Sequence, residues 1–128
     1  MRVYLAAPWV HRAEARVARD MLQAAGHEVP CRWLEVDEAN TTPAAGAWDD
    51  IEDLRACDVL VLLNTATSEG KACETGMAIA WNMPIIAIGR AGSNIFLHLS
   101  TVTRVETVAE AIGQLDALVA RDADLWGH

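Results

Sequence analysis

The sequence predicts one α/β domain spanning residues 1–128. The expected architecture is flavodoxin-like or Rossmann-like, a five-stranded parallel sheet in the order 2-1-3-4-5 with helices on both faces. Three observations carry this. Short apolar runs alternate with longer helical segments along the chain. The run Val59–Leu63 is apolar at every position, the pattern of a strand buried on both faces of a parallel sheet. A chain of 128 residues, 52% of them hydrophobic, supports one core and is short for two.

The elements follow in order. Arg2–Ala6 reads as the first strand. Trp9–Ala25 reads as a helix, with Val10, Ala13, Val17, Met21 and Leu22 on one face at helical spacing, and Gly26 ends it. Glu28–Trp33 is expected to form the second strand. A long connection, Leu34 to Ala45, contains Asn40-Thr41-Thr42-Pro43, and connections of this length often carry function. Gly46–Ala56 reads as a second helix, Asp58–Leu63 as a central third strand, Gly70–Trp81 as a third helix and Pro84–Ile88 as a fourth strand. Asn94–Leu99 reads as a loop or short helix, Val102–Val105 as a fifth strand and Thr107–Arg121 as the last helix. Right-handed crossovers favour the order 2-1-3-4-5. That order sets the loops Ala7–Arg12 and Asn64–Gly70 face to face across one crevice, at the sheet edge where such folds bind ligands.

Composition narrows the function. The net charge of −8 disfavours nucleic-acid polymers and anionic membranes as partners, since nothing neutralises their phosphates. A small nucleotide needs only a local pocket of N–H donors. Cys31, Cys57 and Cys73 show no metal or redox spacing, and their odd number points to reduced thiols and a cytoplasmic protein. The amino-terminal apolar stretch is too short for a signal peptide, and no run reaches transmembrane length. His11, His27, His98 and His128 are scattered, so no metal site is expected. Glycine-rich dinucleotide or nucleoside triphosphate fingerprints are absent, and no cofactor is expected. Asn64 stands where a receiver domain would place a phosphorylatable Asp, and the first loop lacks a flavodoxin's hydroxyl-rich phosphate site.

The most informative stretch is Ser68-Glu69-Gly70-Lys71-Ala72-Cys73-Glu74-Thr75-Gly76. It follows the central strand and opens a helix. Glu74 therefore sits near a helix N-terminus, which favours its ionised form. A positioned carboxylate in a cleft can attack a sugar carbon. The alternative is a glutamate that merely complements the helix dipole. Asp50 stands among Asp49, Glu52 and Asp53 and reads locally as a residue near a helix N-terminus.

These residues resemble the nucleoside 2-deoxyribosyltransferase-like superfamily, which includes 2′-deoxynucleoside 5′-monophosphate N-hydrolases. The resemblance runs from Val3-Tyr4-Leu5 to about Leu99. It rests on Gly70, Glu74 and Gly76 in a Gly-x-x-x-Glu-x-Gly pattern, on Asp50 ahead of Leu54 and Cys57–Val61, and on Asn94-Ile95-Phe96-Leu97-His98. It implies that Glu74 is the nucleophile. It implies that Asp50 holds the sugar and protonates the leaving base, and that Tyr4 hydrogen-bonds near the nucleophile. Deoxyribosyltransferases resemble one another in an Asp six residues before the nucleophile, where the monophosphate N-hydrolases have Ser. Ser68 therefore leans toward a 5′-monophosphate, which an Asp would repel and helix amides favour. Gly70 belongs to the same binding segment. Glu69 opposes a phosphate unless it points away, and His11, Arg12 and Lys71 are the compensating cations on offer.

The first loop departs from the family pattern. Ala6, Ala7, Pro8 and Trp9 stand where small and basic residues are usual, and Ala72 replaces a common Gly. Trp9, and Trp33 after it, offer faces for stacking a base. Asn94 and His98 lie in the segment that in relatives reaches a neighbouring subunit, so the resemblance implies a homodimer or dimer-based oligomer. The expected activity is cleavage of a nucleoside 5′-monophosphate at its N-glycosidic bond. Base exchange, or a non-catalytic nucleotide sensor, are the alternatives.

Overall fold

A computed structural model describes residues 1–126. Gly127 and His128, one of the scattered histidines, lie outside the described residues. The strands are β1 (Val3–Ala6), β2 (Val59–Leu63), β3 (Ile85–Ile88) and β4 (Val102–Val105). The helices are α1 (Arg12–Ala24), α2 (Pro43–Arg55), α3 (Glu69–Ala80) and α4 (Val108–Trp126). The sheet is four-stranded, in the order β1-β2-β3-β4, and every pair is parallel, with Tyr4 opposite Leu60, Leu62 opposite Ala87 and Ile86 opposite Thr103. Helix α1 packs against α4, and α2 against α3. β1, β2 and β3 are buried at every position, as strands covered on both faces must be.

The expected fifth strand, and with it the order 2-1-3-4-5, is not formed. Glu28–Trp33 makes a single bridge, Arg2 to Glu28, and Pro30, which has no N–H to donate, follows two residues later. The chain then turns into a 3-10 segment at Arg32–Leu34. Side chains take over the pairing on this edge of β1. The Leu5 N–H donates to Cys31 Sγ at 3.3 Å and the Trp33 indole donates to the Leu5 carbonyl at 2.8 Å. The edge is thus satisfied without a ladder.

The expected apolar face of the first helix is also corrected. Ala15, Ala18 and Leu22 face the core, whereas Val10, Val17 and Met21 are exposed and so is Ala13. Small alanines let α1 approach the sheet, and the larger side chains are left outside. Trp9–His11 forms a separate 3-10 turn before α1. Helix α2 begins three residues before the expected Gly46. Pro43 fits its first turn, and Thr42 Oγ1 accepts from the Ala45 N–H at 3.2 Å. The loops after β2 and β3 touch at Gly92, whose φ is +79° and where a Cβ would lie 2.7 Å from Thr67 Cγ2. Only glycine fits both conditions.

Candidate active site

Glu74 lies in the second turn of α3, Asp50 in the middle of α2, and Tyr4 on β1. The packing of α2 on α3 brings the two carboxylates together beside the tyrosine. Burial, then the Asp50 charge, push Glu74 up to about 7, while the Tyr4 hydroxyl pulls it down. Burial, then Asp53 and Asp49, push Asp50 up to about 6, with Tyr4 and Arg32 opposing. Tyr4 itself is fully buried. Burial and the charges of Glu74 and Asp50 raise its hydroxyl far above the ordinary range, so it remains a proton donor. That hydroxyl makes no well-directed hydrogen bond among the described residues, yet it favours the ionised form of both neighbours.

Asp50 opens onto a cleft of about 370 Å³ whose wall includes Trp9, Trp33, Val36 and Pro43. The ring centroids of Trp9 and Trp33 are 6.3 Å apart and tilted by 44°. Trp33 is largely buried through its bond to Leu5, and Trp9 is 44% exposed. Arg12 lies 4.6 Å over the Trp9 ring and donates to the carbonyls of Leu34 and Val36 at 3.1 and 2.6 Å. It is a strut holding an aromatic wall. His11 Nδ1 meets Thr65 Oγ1 at 2.5 Å, which ties the loop after β1 to the loop after β2 across the crevice. Ala6 and Pro8 are buried beneath that loop.

Ser68 caps α3, its Oγ accepting from the Lys71 N–H at 3.3 Å. Gly70 follows in the first turn, where a Cβ would only make ordinary contact with Ser68. Lys71 is not a free cation. It is buried, and its Nζ donates to Asn64 Oδ1 and the Ala66 carbonyl, each at 2.6 Å. It braces the loop leading into α3. A second hollow, of about 740 Å³, lies on the other side of α3. Ser68, Lys71, Thr75, Asn94 and Phe96 are on its wall, and neither Glu74 nor Asp50 is. Asn94 caps the 3-10 turn Ile95–His98 through Phe96 N–H at 3.0 Å. His98 is exposed and lies 3.4 Å from Arg104, away from both hollows.

The expected residues thus fall into two groups. Tyr4, Asp50 and Glu74 adjoin one another, and Asp50 shares its cleft with Trp9 and Trp33, whereas Ser68 and Asn94 border the other hollow, with Gly70 in the first turn of α3 beside Ser68. Two residues escaped the sequence reading. Asn64, noted only as unfit for phosphorylation, anchors Lys71. Arg32 lines the Asp50 cleft and is bound to three acidic residues of α2. An arginine about 20 positions ahead of an acidic cluster leaves no local signal. Among the described residues no group of His, Cys, Asp and Glu could hold a metal ion, and no helix is long and apolar enough to cross a membrane.

Solved structures share the fold. The Clostridium botulinum CMP N-glycosidase BcmB is 22% identical, with a TM-score of 0.61 over 92% of this chain and 99% of that one. A 2-deoxyribosyltransferase from Bacillus psychrosaccharolyticus is 20% identical, with a TM-score of 0.64 over 88% and 90%. A conserved protein from Enterococcus faecalis V583 is 15% identical, with a TM-score of 0.69 over 91% and 98%. No curated protein matches the sequence. The family model for nucleoside 2-deoxyribosyltransferases matches residues 3–119, and the chain belongs to that family.

Proposed function

We propose that this chain hydrolyses the N-glycosidic bond of a nucleoside or deoxynucleoside 5′-monophosphate through a covalent glycosyl-Glu74 intermediate. One observation carries the reading. Two carboxylates adjoin the same tyrosine at a ligand-binding sheet edge, and their environment brings both close to neutral pH. The pair is then singly protonated near neutral pH, and the productive form, Glu74 ionised and Asp50 protonated, is the less populated of its two tautomers.

The Glu74 carboxylate attacks C1′ as the bond from C1′ to the base nitrogen breaks. The bonding electron pair leaves with the base, and protonated Asp50 supplies the proton. Water then attacks C1′, its proton passes to the Asp50 carboxylate, and Glu74 departs ionised. Tyr4 stabilises the carboxylates while they are charged. Trp9 provides a face for the base. The 5′-phosphate is received at the start of α3 by Ser68 and by the N–H groups of Glu69 and Gly70, which have no acceptor among the described residues. Oriented amides of this kind bind phosphate without a cation.

The chain is further read as a homodimer or dimer-based oligomer. Support comes from Ile95, Phe96 and Leu99, exposed apolar residues beside the Asn94 hollow, and light scattering of the purified protein tests it. A cytoplasmic location accords with three free thiols.

Base release tests the chemistry. Ribonucleosides and deoxynucleosides, with and without a 5′-phosphate, are incubated with and without a second free base and followed by chromatography. Free base from monophosphates alone is the expected result. A new nucleoside formed only with the acceptor base would make the protein a transferase and remove the argument from Ser68. Binding without turnover would make it a sensor.

A further inference from the structure

Helix α2 carries four carboxylates within five residues: Asp49, Asp50, Glu52 and Asp53. Three of them share one cation. Arg32 Nη1 lies 3.1 Å from Asp49, and its Nη2 lies 3.0 Å from both Glu52 and Asp53. The Arg32 backbone N–H also donates to Asp53 at 2.9 Å, so main chain and side chain pin the 3-10 turn Arg32–Leu34 onto α2. Among the described residues Asp50 has no ion pair, although Arg32 stands on the wall of the same cleft. The guanidinium is half exposed, so these contacts add little to stability one by one. Their consequence is the charge distribution around Asp50.

We infer that Arg32 is a positioning residue for Asp50. It gathers the other three carboxylates of α2, leaves Asp50 as the one without an ion pair, and keeps their charges from driving the Asp50 carboxyl still further up. This rests on the reading of Asp50 as the acid proposed above. The titratable and charged groups facing Asp50 are Tyr4 from β1, Glu74 from α3, Arg32 from the 3-10 turn, and Asp49 and Asp53 from its own helix. Removing Arg32 takes away the nearest positive charge and unmasks Asp49 and Asp53. Both changes favour the protonated form of Asp50.

The experiment compares wild type, Arg32→Gln and Arg32→Lys by carboxyl carbon NMR titration of Asp50 and by the pH profile of base release. In Arg32→Gln the Asp50 titration is expected to move upward by about one pH unit, and the lower limb of the profile, which Asp50 sets, moves up with it. Arg32→Lys keeps the charge but loses the fork, and should move both by less in the same direction. A merely structural arginine would lower the rate at every pH and leave both positions unchanged, which would overturn the inference. If Arg32→Gln does not fold, Arg32→Lys decides alone, and a null or downward shift refutes it. Wild-type protein that releases no base would sink the proposed activity instead, whereas the Asp50 titration needs no substrate and still judges Arg32.

Discussion

Glu74→Gln should make the protein more stable above neutral pH. The Glu74 carboxyl is raised from 4.5 to about 7, first by burial and then by the Asp50 charge. Its folded value thus lies above its unfolded one. The native state then binds the proton more tightly than the unfolded chain, and stability falls as pH rises between these values. The loss is absent below about pH 4.5 and complete above about pH 7. At 1.36 kcal/mol per pH unit the full cost is a little over ~3 kcal/mol, and partial solvent access reduces it to about 1–3 kcal/mol. Glutamine has nearly the same shape and carries no charge, so the variant escapes this cost. Thermal unfolding followed by circular dichroism at pH 4.5 and pH 8 measures the difference. The expected gain at pH 8 is about 3 °C or more, shrinking toward zero at pH 4.5. An equal difference at both pH values, or no gain at pH 8, would refute the reasoning that Glu74 is held ionised against its surroundings.

The proposed mechanism needs Glu74 ionised and Asp50 protonated, so the rate should follow a bell in pH. Its limbs belong to the coupled pair and should fall near the values of about 6 and about 7 set by the two environments. Asp50→Asn should abolish the alkaline limb, and rates followed from pH 5 to 9 will show it. Ser68→Asp should weaken use of 5′-monophosphates at least tenfold in kcat/KM while sparing the corresponding nucleosides. Stronger use of monophosphates would overturn the phosphate assignment. Trp33→Phe removes the indole bond to the Leu5 carbonyl and should cost about 1–3 kcal/mol, read as a lower urea midpoint. Gly92→Ala forces a side chain at positive φ into Thr67 and should cost about 1–3 kcal/mol, read in the same assay.

The sequence revealed strands where burial decides the pattern. Val59–Leu63 could hardly be anything else, because a run apolar at every position needs cover on both faces. It misled where polar backbone is satisfied by side chains. Glu28–Trp33 has the composition of an edge strand, but Cys31 and Trp33 bond to Leu5 directly, and Pro30 interrupts any ladder. The face of α1 failed for a different reason. Hydrophobic size suggested Val10, Val17 and Met21, whereas close helix–sheet packing selects the alanines. Periodicity reports which residues are apolar, and the available space determines which of them fit.

Site geometry depends on pairings that lie far apart in sequence. Asp50 and Glu74 are 24 positions apart, and only the packing of α2 on α3 brings them to one tyrosine. Charge placement is harder still to read. His11, Arg12 and Lys71 look alike in sequence as cations for a phosphate, yet Arg12 props Trp9 and Lys71 is spent inside the loop before α3. Lys71 in particular can remain buried only because two acceptors receive its ammonium. It cannot turn to a ligand without leaving Asn64 and Ala66 unpaired. The charge that does shape the carboxylate site comes from Arg32, held by partners 17 to 21 positions away. A phosphate at Ser68 therefore has to be met by main-chain amides rather than by Lys71. This agrees with a helix that begins at the ligand edge and presents two open N–H groups there.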